Sequence, residues 1–189
     1  MKSLQTFLCS FVFAVLSTSQ AQAQPVVAGL KIGIPFTDAF QAGYPSITAL
    51  TASSNSYTLG PFVEVRVPLN LSIEADALYR GLKFTNITGS ATTAEWDFPV
   101  VAKYKLLKGP IRPYIEGGLD FNHISDLKNF VVANNTSNFG IALGAGVEIH
   151  ALVMRISPEI RYEGDALRNF TGTVNSNRNQ LAFLVGIGF

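Results

Sequence analysis

Within residues 153–163, VMRISPEIRYE, a charged or hydroxyl-bearing side chain falls at every second position from Arg155 on: Arg155, Ser157, Glu159, Arg161 and Glu163. Met154, Ile156, Pro158, Ile160 and Tyr162 stand between them without charge. Successive side chains of a β-strand point to opposite faces. The stretch is therefore a strand with one ionic face and one apolar face, and one of the two must meet solvent.

Eight segments carry this period of two, and no convincing amphipathic helix lies between them. Segment 26–36 sets Ala28, Leu30, Ile32 and Ile34 against Gly29, Lys31 and Gly33. In 57–67, Leu59, Val63 and Val65 oppose Thr58, Glu64 and Arg66. In 71–83, Ile73, Ala75, Ala77 and Tyr79 oppose Ser72, Glu74, Asp76 and Arg80. Segment 94–106 places Trp96, Phe98, Val100, Ala102 and Tyr104 opposite Glu95, Asp97, Lys103 and Lys105. In 111–122, Ile115, Leu119 and Phe121 alternate with Arg112, Tyr114, Glu116 and Asp120. In 138–150, Phe139, Ile141, Leu143, Val147 and Ile149 lie opposite Gly140, Ala142, Gly144, Gly146 and Glu148. The seventh segment is 153–163. The eighth, 178–189, alternates Leu181, Phe183, Val185, Ile187 and Phe189 with Ala182, Leu184, Gly186 and Gly188.

The connections alternate in length. Those at 37–56, 84–93, 123–137 and 164–177 are long and rich in Ser, Thr, Asn and Gly. Those at 68–70, 107–110 and 151–152 are short, with turn residues such as Pro68, Asn70, Gly109 and Pro110. Short turns join antiparallel neighbours, so the expected fold is an all-β, eight-stranded, up-and-down meander with elaborated loops at one end.

Ahead of it, Lys2 and the apolar run 7–16 are followed by Ala21-Gln22-Ala23, which reads as a secretory signal peptide over 1–23 and a barrel domain over 24–189. The only cysteine, Cys9, lies in that run, so the remainder carries no disulfide. Apart from Lys2, 13 basic residues face 13 acidic ones, a balance without the basic stripe of a nucleic-acid-binding protein. Charged residues are 14% of the chain against 48% hydrophobic, and the mean hydropathy is +0.26. Soluble domains carry about a quarter charged residues.

Of the 26 charged residues outside the signal, 18 fall on polar faces and only Lys83 on an apolar one. Alternation does not say which face is outside. A soluble lipocalin-like carrier would turn Val63, Ile73, Leu119 and Ile141 inward as a ligand pocket. A transmembrane barrel would turn them to lipid and pair its charges within. Four features favour the membrane. The segments are about the length of a tilted spanning strand, and the loops are long at one end only. The aromatics Phe36, Tyr57, Tyr79, Trp96, Phe121, Phe139, Tyr162 and Phe183 band near the long-loop ends, as side chains at a headgroup boundary do. The chain also ends on Phe189.

These features together resemble small bacterial outer-membrane β-barrel proteins of the OmpA-domain and OmpX type, with FPVVAKYKLLKGPIRPYIEGGLDF, residues 98–121, similar to their fourth-to-fifth strand hairpin. The resemblance implies residence in the bacterial outer membrane and assembly through Phe189 as a terminal signal. The elaborated loops at 37–56, 84–93, 123–137 and 164–177 point to a structural or adhesive role with an unidentified extracellular ligand, since variable function lies on loops over a rigid scaffold. A monomer without cofactor, metal or catalytic residues is expected. With eight strands the interior holds only side chains. Glu64, Arg66, Glu74, Asp76, Arg80, Glu95, Asp97, Lys103, Lys105, Arg112, Glu116, Asp120, Glu148, Arg155, Glu159, Arg161 and Glu163 should interlock there as ion pairs. Glycines of the first, sixth and last segments should make room for them. Pro61, Pro99, Pro113 and Pro158 fall inside segments and should mark bulges or strand ends, since each lacks a ladder donor.

One stretch suggests chemistry. In FNHIS, His123 and Ser125 share the outward parity of Phe121, and a His-x-Ser on the outer wall resembles lipid A deacylases of the PagL type. Asp126 follows where that family has Asn, and Glu95, Asp97 and Glu116 point inward, which leaves the pair without a carboxylate. His123 and His150 lie at opposite ends and make no metal site.

Overall fold

The computed structural model describes residues 26–37, 40–41, 51–54, 56–86, 89–125, 137–151, 153–165, 175–176 and 179–189. The expected signal peptide, Cys9, Asp126 and most of the long loops lie outside them. Eight strands follow in chain order: β1 (Val26–Pro35), β2 (Thr58–Val67), β3 (Leu71–Asp76 continuing as Leu78–Asn86), β4 (Gly89–Asp97 continuing as Val100–Lys105), β5 (Ile111–Ile124), β6 (Ser137–Ala151), β7 (Met154–Asp165) and β8 (Asn179–Gly188). Each pairs antiparallel with the next, and β8 returns to β1 from Gly29↔Gly188 to Pro35↔Ala182. The eight strands close on themselves.

Burial alternates along every strand, and the apolar side is outside. Val63, Ile73, Leu119 and Ile141, the pocket residues of the carrier alternative, are 44–52% exposed on the outer wall. The carrier geometry is thereby overturned: those side chains have no interior to line. Lys83 is also exposed, as its parity requires.

The four strand prolines coincide with interruptions of the ladder. Ala77, between the two halves of β3, donates its N–H to Pro61 O at 2.9 Å, and Asp76 donates to Pro99 O at 3.0 Å. Neither proline has an N–H to return, so the central strand loses a donor from each side at the same level. Pro99 also lies in the gap between the halves of β4. Pro113 O accepts from Leu106 N at 2.8 Å just where β4 stops, at Lys105. Opposite Pro158, the β6–β7 register lapses between Gly146↔Glu159 and Ile149↔Ile156. Pro61, Pro113 and Pro158 themselves remain within their strands rather than ending them.

One connection differs from expectation. Residues 84–93 are not a long loop: β3 runs to Asn86 and β4 begins at Gly89, paired throughout. Thr51–Ser54 adds a short strand against β3, and Phe40–Gln41 pairs with Asn175–Ser176.

Candidate functional site

The interior is built from the polar faces. All 17 charged residues assigned to it from sequence point inward, fifteen of them buried and two, Arg66 and Arg112, half-buried at the short-turn end. Two more buried charges join them. Lys31 is the lone charge of β1, and Asp165 is drawn in because β7 extends past Glu163.

The middle tier is a closed ionic cluster. Lys31 Nζ donates to Glu74 Oε1 at 2.6 Å, Glu159 Oε1 at 2.9 Å and Asp76 Oδ2 at 3.0 Å. An ammonium has three donors, and each finds a carboxylate. Arg161 spreads its fork over Asp76 Oδ2 at 2.7 Å, Glu116 Oε1 at 2.8 Å and Glu159 Oε1 at 2.8 Å. Lys103 Nζ reaches Glu74 Oε2 at 2.7 Å and Glu159 Oε2 at 3.3 Å, and Tyr114 donates to Glu159 Oε2 at 2.5 Å. Lys103 also stands 4.6 Å from the centre of the Tyr114 ring, and Lys31 lies 5.5 Å from that of Phe62. Arg161, Lys31 and Lys103 are no more than 1% exposed. Charges so far from water persist only when paired and hydrogen-bonded.

Glu74, Glu116 and Glu159 bring one oxygen each within 4.8 Å of one another, a spacing a metal ion could use. Two ammoniums and a guanidinium already fill that role.

Toward the long loops lie Arg80, Glu95, Asp97, Asp120, Glu163 and Asp165, all buried. Arg80 donates to Gln180, and Asn122 Nδ2 donates to Asp165 Oδ1 at 2.9 Å. Toward the short turns, Lys105 Nζ joins Glu64 Oε1 and Glu148 Oε2, both at 2.7 Å. Arg66, Arg112 and Arg155 approach Glu148 at 3.6–3.8 Å, and His150 Nε2 touches it.

The glycines divide their task in a way sequence alone did not reveal. A Cβ on Gly144 would meet Glu116 Oε1 at 2.6 Å, so that glycine does make room for an acidic side chain. Around Phe62, by contrast, a Cβ on Gly29 or Gly188 would lie 2.7 Å or 3.0 Å from the ring. Those two glycines accommodate an aromatic ring, not the arginines and glutamates expected there. Phe62 shares the parity of Glu64, which is the only signal that marked it.

The banded aromatics stand on the outer side. Phe36, Tyr57, Phe121 and Phe139 are exposed, and Tyr79, Trp96, Tyr162 and Phe183 are half-buried among wall side chains. Trp96 meets Tyr79 edge-on at 5.5 Å, and Tyr162 donates to Asn179 Oδ1 at 2.7 Å. Phe189 is exposed at the far end, its backbone exchanging hydrogen bonds with Ala28.

The hydrogen bonds found at His123 and Ser125 run to other residues. His123 Nδ1 lies 2.9 Å from Ser137 Oγ on β6. Ser125 is held by its backbone, donating to Ala94 O at 2.9 Å and accepting from Thr93 Oγ1 at 2.6 Å.

A closed antiparallel barrel of eight strands, aliphatic without and ionic within, is the architecture of a bacterial outer-membrane β-barrel protein. The chain belongs to the family described as "Outer membrane protein beta-barrel domain", which matches residues 7–188. Among solved structures, the outer membrane protein OprG from Pseudomonas aeruginosa is similar at 14% identity and a TM-score of 0.60, over 86% of this chain and 92% of that one. Neisserial surface protein A is similar at 16% identity and a TM-score of 0.55, over 87% and 97%. No curated protein matches. The localisation is the bacterial outer membrane.

Proposed function

We propose that the protein is a monomeric outer-membrane barrel with a plugged lumen, which holds structural or adhesive loops at the cell surface. The observation that carries the reading is the middle tier, where Lys31, Glu74, Asp76, Lys103, Glu116, Glu159 and Arg161 meet across the barrel at hydrogen-bond distances and exclude solvent. A solute would have to part several buried ion pairs to pass, each costly to break.

In this reading the aliphatic wall contacts outer-membrane lipid, and the aromatic band from Phe36 to Phe183 sits at the outer headgroup level. The assembly machinery engages the last strand through Phe189. The loops at 37–56, 123–137 and 164–177 and the hairpin tip within 84–93 meet an extracellular ligand, since function varies on loops over a rigid scaffold. No catalytic residue, cofactor or nucleic acid enters the reading.

Conductance in planar lipid bilayers tests it. The refolded barrel should insert without stable current steps, whereas the Lys31→Ala and Arg161→Ala double variant, which opens the tier, should conduct if it folds. Regular open-channel steps from the unaltered protein would overturn the plugged lumen.

A further inference from the structure

The short-turn end of the lumen carries more positive charge than it can spend. Lys105, Arg66, Arg112 and Arg155 share two carboxylates, Glu64 and Glu148. Lys105 takes the two short contacts, at 2.7 Å each, and Arg112 turns its Nε to Gly109 O at 2.7 Å. Arg66 Nη2 is left 3.8 Å from Glu148 Oε1, beyond hydrogen-bond reach. Its Nε and Nη2, and Nη1 of Arg155, are buried without a hydrogen-bond acceptor. An arginine fork can grip two oxygens of a phosphate or carboxylate at once.

A cavity lies at this place. It measures about 420 Å³ and is lined by Arg66, Lys105, Lys108 and Arg112 together with the turn residues Pro68, Leu69 and Asn70 and with Leu107. Leu69, held at a φ of 68° in its turn, is 82% exposed, and Leu107 is 59% exposed. In an outer-membrane barrel the short turns face the periplasm, so the basin opens at the headgroup level of the inner leaflet. A cationic pocket rimmed by exposed leucines suits an anion that carries apolar chains.

We infer that this periplasmic mouth is a binding site for a phosphate-bearing anion, gripped by Arg66 with Arg112 and Lys108. The phosphate can belong to the headgroup of an anionic phospholipid in the inner leaflet or to a free phosphate from the periplasm. The basin attracts either, because surplus charge in a concave, partly desolvated pocket is poorly screened. The site does not depend on the lumen being plugged.

The test compares the refolded barrel with an Arg66→Gln, Arg112→Gln double variant and with Lys83→Gln, a control on the outer wall toward the opposite end. All three are checked for folding by gel mobility with and without boiling. Retained lipid is read by native mass spectrometry from bilayers of phosphatidylcholine with or without phosphatidylglycerol. Inorganic phosphate is titrated by calorimetry in phosphatidylcholine alone. The barrel should retain phosphatidylglycerol or bind phosphate at least about tenfold better than the double variant, as loss of charged hydrogen bonds implies, while Lys83→Gln matches the unaltered protein. Retention of the lipid without affinity for free phosphate assigns the headgroup as source, and the reverse assigns a solute. Equal binding by the barrel and the double variant in both arms would overturn the site.

Discussion

Lys31 illustrates how much one residue can hold. It is the lone charge of β1, yet its three donors tie together Glu74 and Asp76 of β3 and Glu159 of β7. Lys31→Met leaves four carboxylates facing two cations and should lower the unfolding free energy in detergent by about 3–5 kcal/mol, read from urea titrations. A variant that unfolds at the unaltered midpoint would show that the cluster is not holding the barrel. Arg66→Gln should shift the midpoint little or upward, because it relieves a local excess of positive charge. Phe62→Ala should cost about 3–5 kcal/mol through the cavity it opens beside Gly29 and Gly188. At this scale the side of each charge was legible from parity alone, since a charge of wrong parity would face hydrocarbon. The partner of each charge was not, because pairs such as Lys31 with Glu159 form across the lumen only once the barrel closes. Phe62 was illegible for a related reason: its ring fits only because glycines from strands distant in sequence stand around it.

At the scale of strands, the prolines act as punctuation. Pro61 and Pro99 flank the one level at which β3 is interrupted, and each leaves a carbonyl of Asp76 or Ala77 without the ladder donor it would otherwise receive. Pro99→Ala restores an N–H toward Asp76 O. It should stabilise the barrel by about 1 kcal/mol and slow amide exchange at Asp76 and Ala77. Faster exchange there would show that the proline is needed to shape the wall. Strand boundaries were legible within the apolar belt because each face meets a different medium. The hairpin through 84–93 was missed because its sequence, FTNITGSATT, does not alternate apolar with charged residues. The period-two signal fades there, although the hydrogen-bond ladder continues to Asn86↔Gly89.

For the molecule as a whole, closure and orientation follow from a single requirement, that every backbone group be satisfied where no water is present. Leu119→Arg, on the outer wall near mid-strand, should destabilise the protein in lipid by about 2–4 kcal/mol. Protease added to intact cells should cut within 42–50, 126–136 or 166–174 and spare the turns at 68–70 and 107–110. The central claim is that hydrocarbon touches the aliphatic wall. The chain has a single tryptophan, Trp96, so a Trp96→Phe, Ile141→Trp variant reports from the wall alone. The measurement is quenching of that fluorescence by lipids brominated deep in their acyl chains, against quenching by aqueous iodide. Strong quenching by the brominated chains with little by iodide is the predicted result. Quenching by iodide with none from the lipid would place Ile141 in water and contradict the account.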